Sequence, residues 1–154
     1  MRTIICAAVI SCLGFGLSGQ ALGAEADWND SGIAWQSFDA GLKLAKQGNQ
    51  PICLVFFTTW CPHCHAYSRM FHNPDVVALA KKFVMIHLDR DKNKELSKKF
   101  APDGEYIPRT FFLSASGELK GEITSGANEY RYFYDESDPK AILGGMTRAL
   151  SLLK

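Results

Sequence analysis

The most constraining feature of this sequence is the continuously apolar run Ile52–Phe57, which is closely followed by Trp-Cys-Pro-His-Cys at residues 60–64. An apolar run without polar alternation is typical of a central strand that is covered on both faces. Pro62 favours a helix start at this point, because proline lacks the N–H that a first helical turn leaves unpaired. The sequence therefore predicts a buried strand that leads directly into two cysteines at the start of a helix.

Two cysteines separated by two residues at a helix N-terminus form a reactive dithiol. The thiolate is the reactive form of cysteine, and the partial positive charge of the helix end favours a thiolate at Cys61. His63 adds a positive or hydrogen-bonding group that we expect to tune this thiolate. We expect Cys61 to be the exposed nucleophile, and the more buried Cys64 to resolve mixed disulfides. Trp60 and Pro62 are expected to give an apolar platform for a substrate chain.

The same residues are compatible with three other kinds of site. Residues 61–65 read Cys-x-x-Cys-His, a haem-attachment signature, but a haem would require a separate axial ligand such as Met70 or Met85. The two cysteines with His65 and His72 are metal-ligand types, but no second Cys/His pair completes a tetrahedral set. A structural disulfide between two cysteines with only two residues between them would close a tiny loop and restrain little of the unfolded chain. The strand–motif–helix context favours redox chemistry and no bound metal.

The N-terminus has the composition of a secretory signal. Residues Met1–Ala24 contain one base and no acid, with an apolar stretch at Ile4–Leu17 before several small residues. We predict that residues 1–24 are a cleaved signal peptide and that residues 25–154 form one domain. The protein is then periplasmic or secreted, in a compartment where disulfides persist.

The remaining composition excludes several classes of protein. Without the signal, only Cys53, Cys61 and Cys64 remain, too few for a disulfide-stapled scaffold, and Cys53 is expected to be an inert thiol within the apolar strand. A formal net charge of +1 gives no reason to expect nucleic acid. No later apolar run is long enough to span a bilayer, so we expect no stable membrane insertion after signal removal.

The rest of the chain predicts a single α/β domain. Before the dithiol we expect a helix up to Gly48, and after the dithiol helix a second helical piece that Asp75 caps and that runs through Phe83. A strand at Val84–Asp89 and a short helix at Asn93–Phe100 should follow. The remaining expected elements are a strand at Thr110–Leu113 that turns into Leu119–Thr124, an edge strand or extended loop at Tyr130–Tyr134, and a final helix from Pro139 to Leu153. This order is βαβ followed by a hairpin and a helix, which predicts a mixed sheet.

Two separated features resemble the thioredoxin superfamily: the strand–dithiol–helix unit, and Ile107-Pro108 just before a strand. The resemblance implies a thioredoxin-like fold, with a central mixed β-sheet flanked by helices. It also implies a cis proline at Pro108 that faces the dithiol and a substrate-binding segment that includes Ile107, Pro108 and Arg109. Residues 101–109 and the aromatic stretch Tyr130–Tyr134 are similar to the small endoplasmic-reticulum thioredoxin-like proteins of the anterior-gradient group. The Cys-Pro-His-Cys sequence resembles that of DsbA, the bacterial periplasmic oxidase.

One position departs from the resemblance. Thioredoxin and the disulfide isomerases carry a buried acid six residues before the nucleophile, where it acts as a proton relay. This sequence has Val55 there, so deprotonation of Cys64 must rely on water, His63, His65 or another group.

These observations predict a thiol–disulfide oxidoreductase that exchanges disulfides with cysteines of exported proteins through Cys61 and Cys64. It would need no cofactor beyond the redox-active disulfide, and its partners would be cysteine-containing proteins and a redox partner that recharges the dithiol. Oxidase, reductase and isomerase activities remain open, because all three can share this site. The alternative from another class is a non-catalytic binding or chaperone-like module that uses Trp60, Ile107 and the aromatic surface.

Overall fold

Three strands form one mixed sheet within residues 26–153, which are the part of the chain that the computed structural model describes. The predicted signal peptide at residues 1–24 lies outside these residues. The strands are β1 (Ile52–Phe57), β2 (Val84–Asp89) and β3 (Arg109–Leu113), in the order β2-β1-β3. Strand β1 pairs parallel with β2 and antiparallel with β3, which confirms the predicted mixed sheet.

Five α-helices and one 3₁₀ segment are found in the described range. The helices are α1 (Phe38–Gly48), α2 (Pro62–Ser68), α3 (Pro74–Ala80), α4 (Lys94–Lys99) and α5 (Pro139–Leu152), and the 3₁₀ turn at Arg69–His72 joins α2 to α3. Across residues 26–153, no helix is both long and apolar enough to cross a membrane.

The sheet has an apolar layer on each face, as the unbroken apolar sequence of β1 predicts. Cys53, Val55 and Phe57 contribute to one cluster of buried side chains, and their alternating neighbours contribute to the other. The first cluster includes buried residues of α2, α3 and α5, and the second includes residues of α1 and α4. The dithiol cysteines Cys61 and Cys64 belong to the first cluster.

Two local predictions for the segment after the dithiol helix are wrong. The N-cap of α3 is Asn73, whose Oδ1 accepts hydrogen bonds from the N–H groups of Asp75 and Val76 at 2.9 and 3.3 Å. Asn73 precedes Pro74, which occupies the first helical position, so Asp75 lies inside the first turn. The helix ends at Ala80 instead of Phe83, because Phe83 turns into β2 as part of the buried cluster.

The predicted hairpin after β3 is much shorter than expected. Only an isolated bridge between Leu113 and Leu119 extends the sheet there, and the following residues form turns. The segment Tyr130–Tyr134 is a loop that touches the edge of β3 through one backbone hydrogen bond, from Thr110 N to Tyr132 O at 2.8 Å. The predicted hairpin strand Leu119–Thr124 is instead anchored by the buried side chain of Ile123, where a ladder of backbone hydrogen bonds was predicted.

Candidate active site

The sheet register brings three chain segments to one end of the molecule. Phe57, the last residue of β1, pairs with Asp89, the last residue of β2, and Phe56 pairs with Arg109, the first residue of β3. The dithiol that follows β1, the loop that follows β2 and the Ile107-Pro108 segment that precedes β3 therefore lie at the same edge of the sheet. This arrangement follows from the parallel and antiparallel pairing of the three strands.

Cys61 is the N-cap of α2. Its backbone is extended (φ −86°, ψ 115°), and its Sγ accepts a hydrogen bond from the N–H of Cys64 at 3.3 Å. Its carbonyl accepts from the N–H groups of Cys64 and His65 at 3.1 and 3.2 Å. The sulfur of Cys61 therefore lies at the N–H groups of a helix start, an environment that favours a negative charge.

Both cysteines are buried, which corrects the prediction that Cys61 is exposed. Cys61 is 4% exposed and Cys64 is fully buried, and both are thiols in this structure. The short side chain of Cys61 lies at the junction of a buried strand and a buried helix face, whereas the neighbouring Trp60 and Pro62 take the surface positions. Cys61 is still the more accessible of the two residues.

The environment of Cys64 disfavours its thiolate. Burial raises the pKa of Cys64, and the hydrogen bond with Cys61 and the negative charge of Glu136 raise it further. A contact with the backbone of Thr58 acts in the opposite direction. Cys64 therefore keeps its proton at neutral pH. Burial also raises the pKa of the Cys53 thiol on β1, as expected for an inert cysteine.

Trp60 is an exposed aromatic surface beside the dithiol. Its side chain is 63% exposed, yet its Nε1 donates a hydrogen bond to Asp91 Oδ2 at 2.8 Å. The guanidinium of Arg90 lies 5.6 Å from the ring centroid, and its Nη1 donates to the carbonyl of Glu105 at 3.1 Å. The hydrogen bond from Trp60, followed by that from Arg90, lowers the pKa of Asp91. These contacts hold the ring in a fixed position at the site.

The segment before β3 completes the apolar surface. The peptide bond between Ile107 and Pro108 is cis, the isomer that the resemblance implies. Pro108 is buried, and Ile107 is partly buried against the cluster that contains both cysteines. Ile107 therefore lies at the edge of the site, where its backbone precedes the first residue of β3.

Arg109 does not lie on a substrate-binding surface, which corrects its predicted role. The residue is fully buried, and burial lowers the pKa of its guanidinium. Its Nη1 donates to the carbonyl oxygens of Phe100 and Gly104 at 2.9 and 2.7 Å, and its Nη2 donates to Ser97 Oγ. Arg109 therefore anchors the chain that leads from α4 to Pro108. Arg109 is the first residue of β3, a strand whose residues are all buried. Its position next to Pro108 in the sequence does not reveal this burial.

Comparison with known proteins agrees with this geometry. A family model described as thioredoxin-like matches residues 34–115, which is more than half of the chain. The chain belongs to the thioredoxin-like family. It is 31% identical over 128 residues to the human (Homo sapiens) anterior gradient protein 2 homolog, an alignment that covers 82% of this chain and 71% of that protein.

Solved structures show the same fold as this thioredoxin-like chain. A disulphide isomerase from Xylella fastidiosa Temecula1 superimposes with a TM-score of 0.58 at 22% identity, covering 90% of this chain and 99% of that one. A thioredoxin from Thermus thermophilus gives a TM-score of 0.61 at 18% identity, covering 77% and 88% of the two chains. At these identities the similarity establishes the fold.

His63 and Glu136 form a pair that sequence reasoning missed. His63 Nδ1 lies 2.7 Å from Glu136 Oε1, and its ring centroid lies 6.2 Å from that of Phe133. His63 is 65% exposed, whereas the side chain of Glu136 is 22% exposed. Glu136 is 73 positions away in the sequence, in the loop before α5, and no local motif marks it. The thioredoxin-like dithiol therefore has a carboxylate nearby although Val55 occupies the position of the buried acid.

The structure does not bring the candidate metal ligands together. His65 Nε2 lies 2.8 Å from the carbonyl oxygen of Thr59, and His72 Nε2 lies 3.3 Å from Asp27. Within residues 26–153, no three His, Cys, Asp or Glu side chains are grouped as a metal site would require.

Proposed function

We propose that this protein is a thiol–disulfide oxidoreductase that exchanges disulfides with cysteines of exported proteins. The observation that carries the proposal is the position of Cys61 Sγ at the N-terminus of α2, where it accepts a hydrogen bond from Cys64 N–H, with a second thiol in the same helical turn. A helix start stabilises a thiolate, and a neighbouring thiol can resolve the mixed disulfide that the thiolate forms.

The reaction has two exchange steps. In the reducing direction, the thiolate of Cys61 attacks a substrate disulfide, one substrate sulfur leaves as a thiolate, and a mixed disulfide remains. Cys64 then loses its proton and attacks Cys61 Sγ, which releases the second substrate sulfur and leaves a Cys61–Cys64 disulfide. The reverse sequence oxidises a substrate dithiol, and a redox partner must recharge the pair after each cycle.

The surface around the dithiol is suited to an extended substrate chain. The exposed ring of Trp60 lies on one side, and Ile107 and the cis bond before Pro108 lie on another, at the same end of the sheet. Export of the protein itself is supported by the basic and apolar composition of residues 1–24, which is typical of a signal peptide.

Trapping of mixed disulfides tests the proposed roles of the two cysteines. In a Cys53→Ala background, we expect Cys64→Ser to accumulate mixed disulfides through Cys61, because the resolving thiol is missing. The Cys61→Ser protein is the matched control and should accumulate none. The complexes are separated on non-reducing gels after acid quenching and alkylation. Equal trapping by both variants would contradict the roles.

Three further measurements separate the alternatives. Proteins trapped in cells by the full-length Cys64→Ser chain should be ones that are synthesised with signal peptides, and a set of cytosolic proteins would refute exported substrates. Full cellular function of the Cys61→Ser/Cys64→Ser protein would show instead a non-catalytic binding module. Equilibration with glutathione gives the direction, since reduction potentials of about −120 mV belong to strong oxidants and those of about −270 mV to thioredoxin-type reductants.

A further inference from the structure

Resolution of the mixed disulfide requires a base near Cys64. The thiol of Cys64 is fully buried, and its surroundings favour the protonated form. Only the thiolate attacks a disulfide at a useful rate, so the proton must leave as the sulfur reacts. Strand β1 supplies no side-chain acceptor here. Val55 takes the place of the acid, and its aliphatic side chain is fully buried in the apolar cluster that contains Cys64.

The carboxylate of Glu136 is near Cys64 and has an oxygen available as an acceptor. Its Oε1 is paired with His63 Nδ1 at 2.7 Å, and His63 is the residue that precedes Cys64. Its Oε2 is buried and has no hydrogen-bond partner within residues 26–153. A buried carboxylate oxygen without a donor is costly, and such an atom near a reactive group suggests a function.

Electrostatics give a second indication that Glu136 faces the dithiol. The charges of Cys61 and Glu136 both raise the pKa of the Cys64 thiol. A charge has this effect only at short range or across a medium that screens poorly.

We propose that Glu136 is the proton acceptor for Cys64 during resolution, directly or through one water molecule, and that His63 is the positioning residue that holds it. This inference rests on the proposed thiol–disulfide exchange. The proton of Cys64 passes to Glu136 Oε2 as the Cys64 sulfur forms a bond to Cys61 Sγ. The bond between Cys61 and the substrate sulfur breaks, and the substrate leaves as a thiolate that takes a proton from Glu136 or from solvent. The Cys61–Cys64 pair is oxidised and the substrate sulfur is reduced.

The role of His63 follows from its exposure. Its ring lies between solvent and Glu136 Oε1, so it fixes one carboxylate oxygen and leaves the other, which is buried, without a hydrogen-bond partner among the described residues. The sequence instead predicts that His63 tunes the Cys61 thiolate directly, and this is a different role.

Replacement of Glu136 by glutamine distinguishes a base from a passive charge. If Glu136 acts only through its charge, Glu136→Gln lowers the pKa of Cys64 and accelerates resolution at neutral pH. If Glu136 accepts the proton, the same change slows resolution, because the isosteric amide cannot accept it. The two hypotheses therefore predict opposite signs.

The experiment uses single turnover of the reduced protein with dipyridyl disulfide in a Cys53→Ala background. The first pyridinethione reports attack by Cys61, and the second reports resolution by Cys64. For Glu136→Gln we expect the first release to change less than about twofold and the second to slow at least about tenfold, since general bases contribute about 10²–10⁴-fold. Glu136→Asp should be intermediate. Glu95→Gln, which removes an exposed carboxylate paired with Lys98 on α4, is the matched control and should change neither release.

The pH profile of the second release adds a readout that misfolding would not imitate. In the Glu136→Gln variant, this rate should rise about tenfold per pH unit, because only the small thiolate fraction of Cys64 then reacts. In the unmodified dithiol the rate should depend much less on pH, because Glu136 accepts the proton of Cys64 as the sulfur reacts. An unchanged or faster second release in Glu136→Gln would overturn the proposal. A parent protein that gives no second release would instead refute the proposed function.

His63 is tested by substitutions that keep or remove its bond to Glu136. His63→Leu should slow the second release, His63→Gln should restore most of it by donating to the carboxylate, and His63→Leu should have no further effect in the Glu136→Gln background. A slower first release with an unchanged second release would overturn this assignment and place His63 on Cys61.

Discussion

The buried guanidinium of Arg109 gives a prediction that separates a structural role from substrate binding. Arginine and lysine carry the same charge, but lysine has one donor nitrogen where arginine has a planar fork of five N–H groups. Arg109 uses that fork to reach two carbonyl oxygens and a hydroxyl on different residues. The Arg109→Lys protein keeps the charge and cannot reach all three acceptors.

The expected loss of stability follows from these contacts. A hydrogen bond from a charged donor contributes about 1.5–3 kcal/mol, and Lys at residue 109 would lose about two of the three. The bond to Phe100 is buried, whereas the carbonyl of Gly104 is partly buried and can be hydrated in its place. We therefore expect Arg109→Lys to reduce the free energy of unfolding by about 2–4 kcal/mol, a large share of the roughly 5–15 kcal/mol typical of a domain.

Urea unfolding followed by circular dichroism measures this change. Arg69→Lys, at an exposed position after α2, is the matched control and should lie within about 0.5 kcal/mol of the parent protein. A loss below about 1 kcal/mol for Arg109→Lys, together with weaker reaction with a disulfide substrate, would refute the structural role and restore the predicted substrate contact.

Two further predictions concern α5 and the aromatic surface. Gly144→Ala should raise the free energy of unfolding by about 1 kcal/mol, because the new Cβ meets open space and alanine favours a helix. Gly145→Ala should lower the free energy of unfolding by about 1–3 kcal/mol, because the new Cβ would lie 2.6 Å from Tyr134 Cε1. Thermal unfolding of the pair checks both signs, and a stabilising Gly145→Ala would contradict the packing. The bond from Trp60 lowers the pKa of Asp91, so it should persist down to the ordinary carboxyl pKa of about 3.9 and be lost as pH falls through the lower, folded value. The indole N–H resonance of Trp60 should report this transition, and the transition should be absent from the Asp91→Ala protein. A transition midpoint above about pH 3.9 would refute the bond.

The sequence predicts best what neighbouring residues determine together. The bounds of β2 are confirmed as Val84–Asp89, and β1 is confirmed as Ile52–Phe57, because an unbroken apolar run has few alternatives to a central strand. The start of α2 at Pro62 is confirmed for the same local reason. The position of Ile107-Pro108 at the dithiol end then follows from the antiparallel pairing of β1 and β3.

The errors arise where distant contacts override local pattern. Leu119–Thr124 has strand-forming residues, but Ile123 is buried by packing of a turn-rich segment, and only one bridge forms. Arg109 is charged, which predicts a surface position, but three acceptors from the chain that precedes it allow its burial. A buried guanidinium that three acceptors from other residues hold is a tertiary feature, and a single sequence does not indicate it.

The missing acid at Val55 and the presence of Glu136 have a common physical explanation. A carboxylate on β1 would lie in the fully buried apolar cluster, where loss of hydration costs several kcal/mol per ion. Glu136 comes from a loop, keeps 22% exposure and shares a hydrogen bond with the exposed His63, so its burial costs less than that of a carboxylate on β1. Its second oxygen is nevertheless buried, and the charge of the carboxylate acts on Cys64. A base that enters from the loop therefore allows β1 to be entirely apolar, and this explains how an unbroken hydrophobic strand can lead into a dithiol that must still exchange protons.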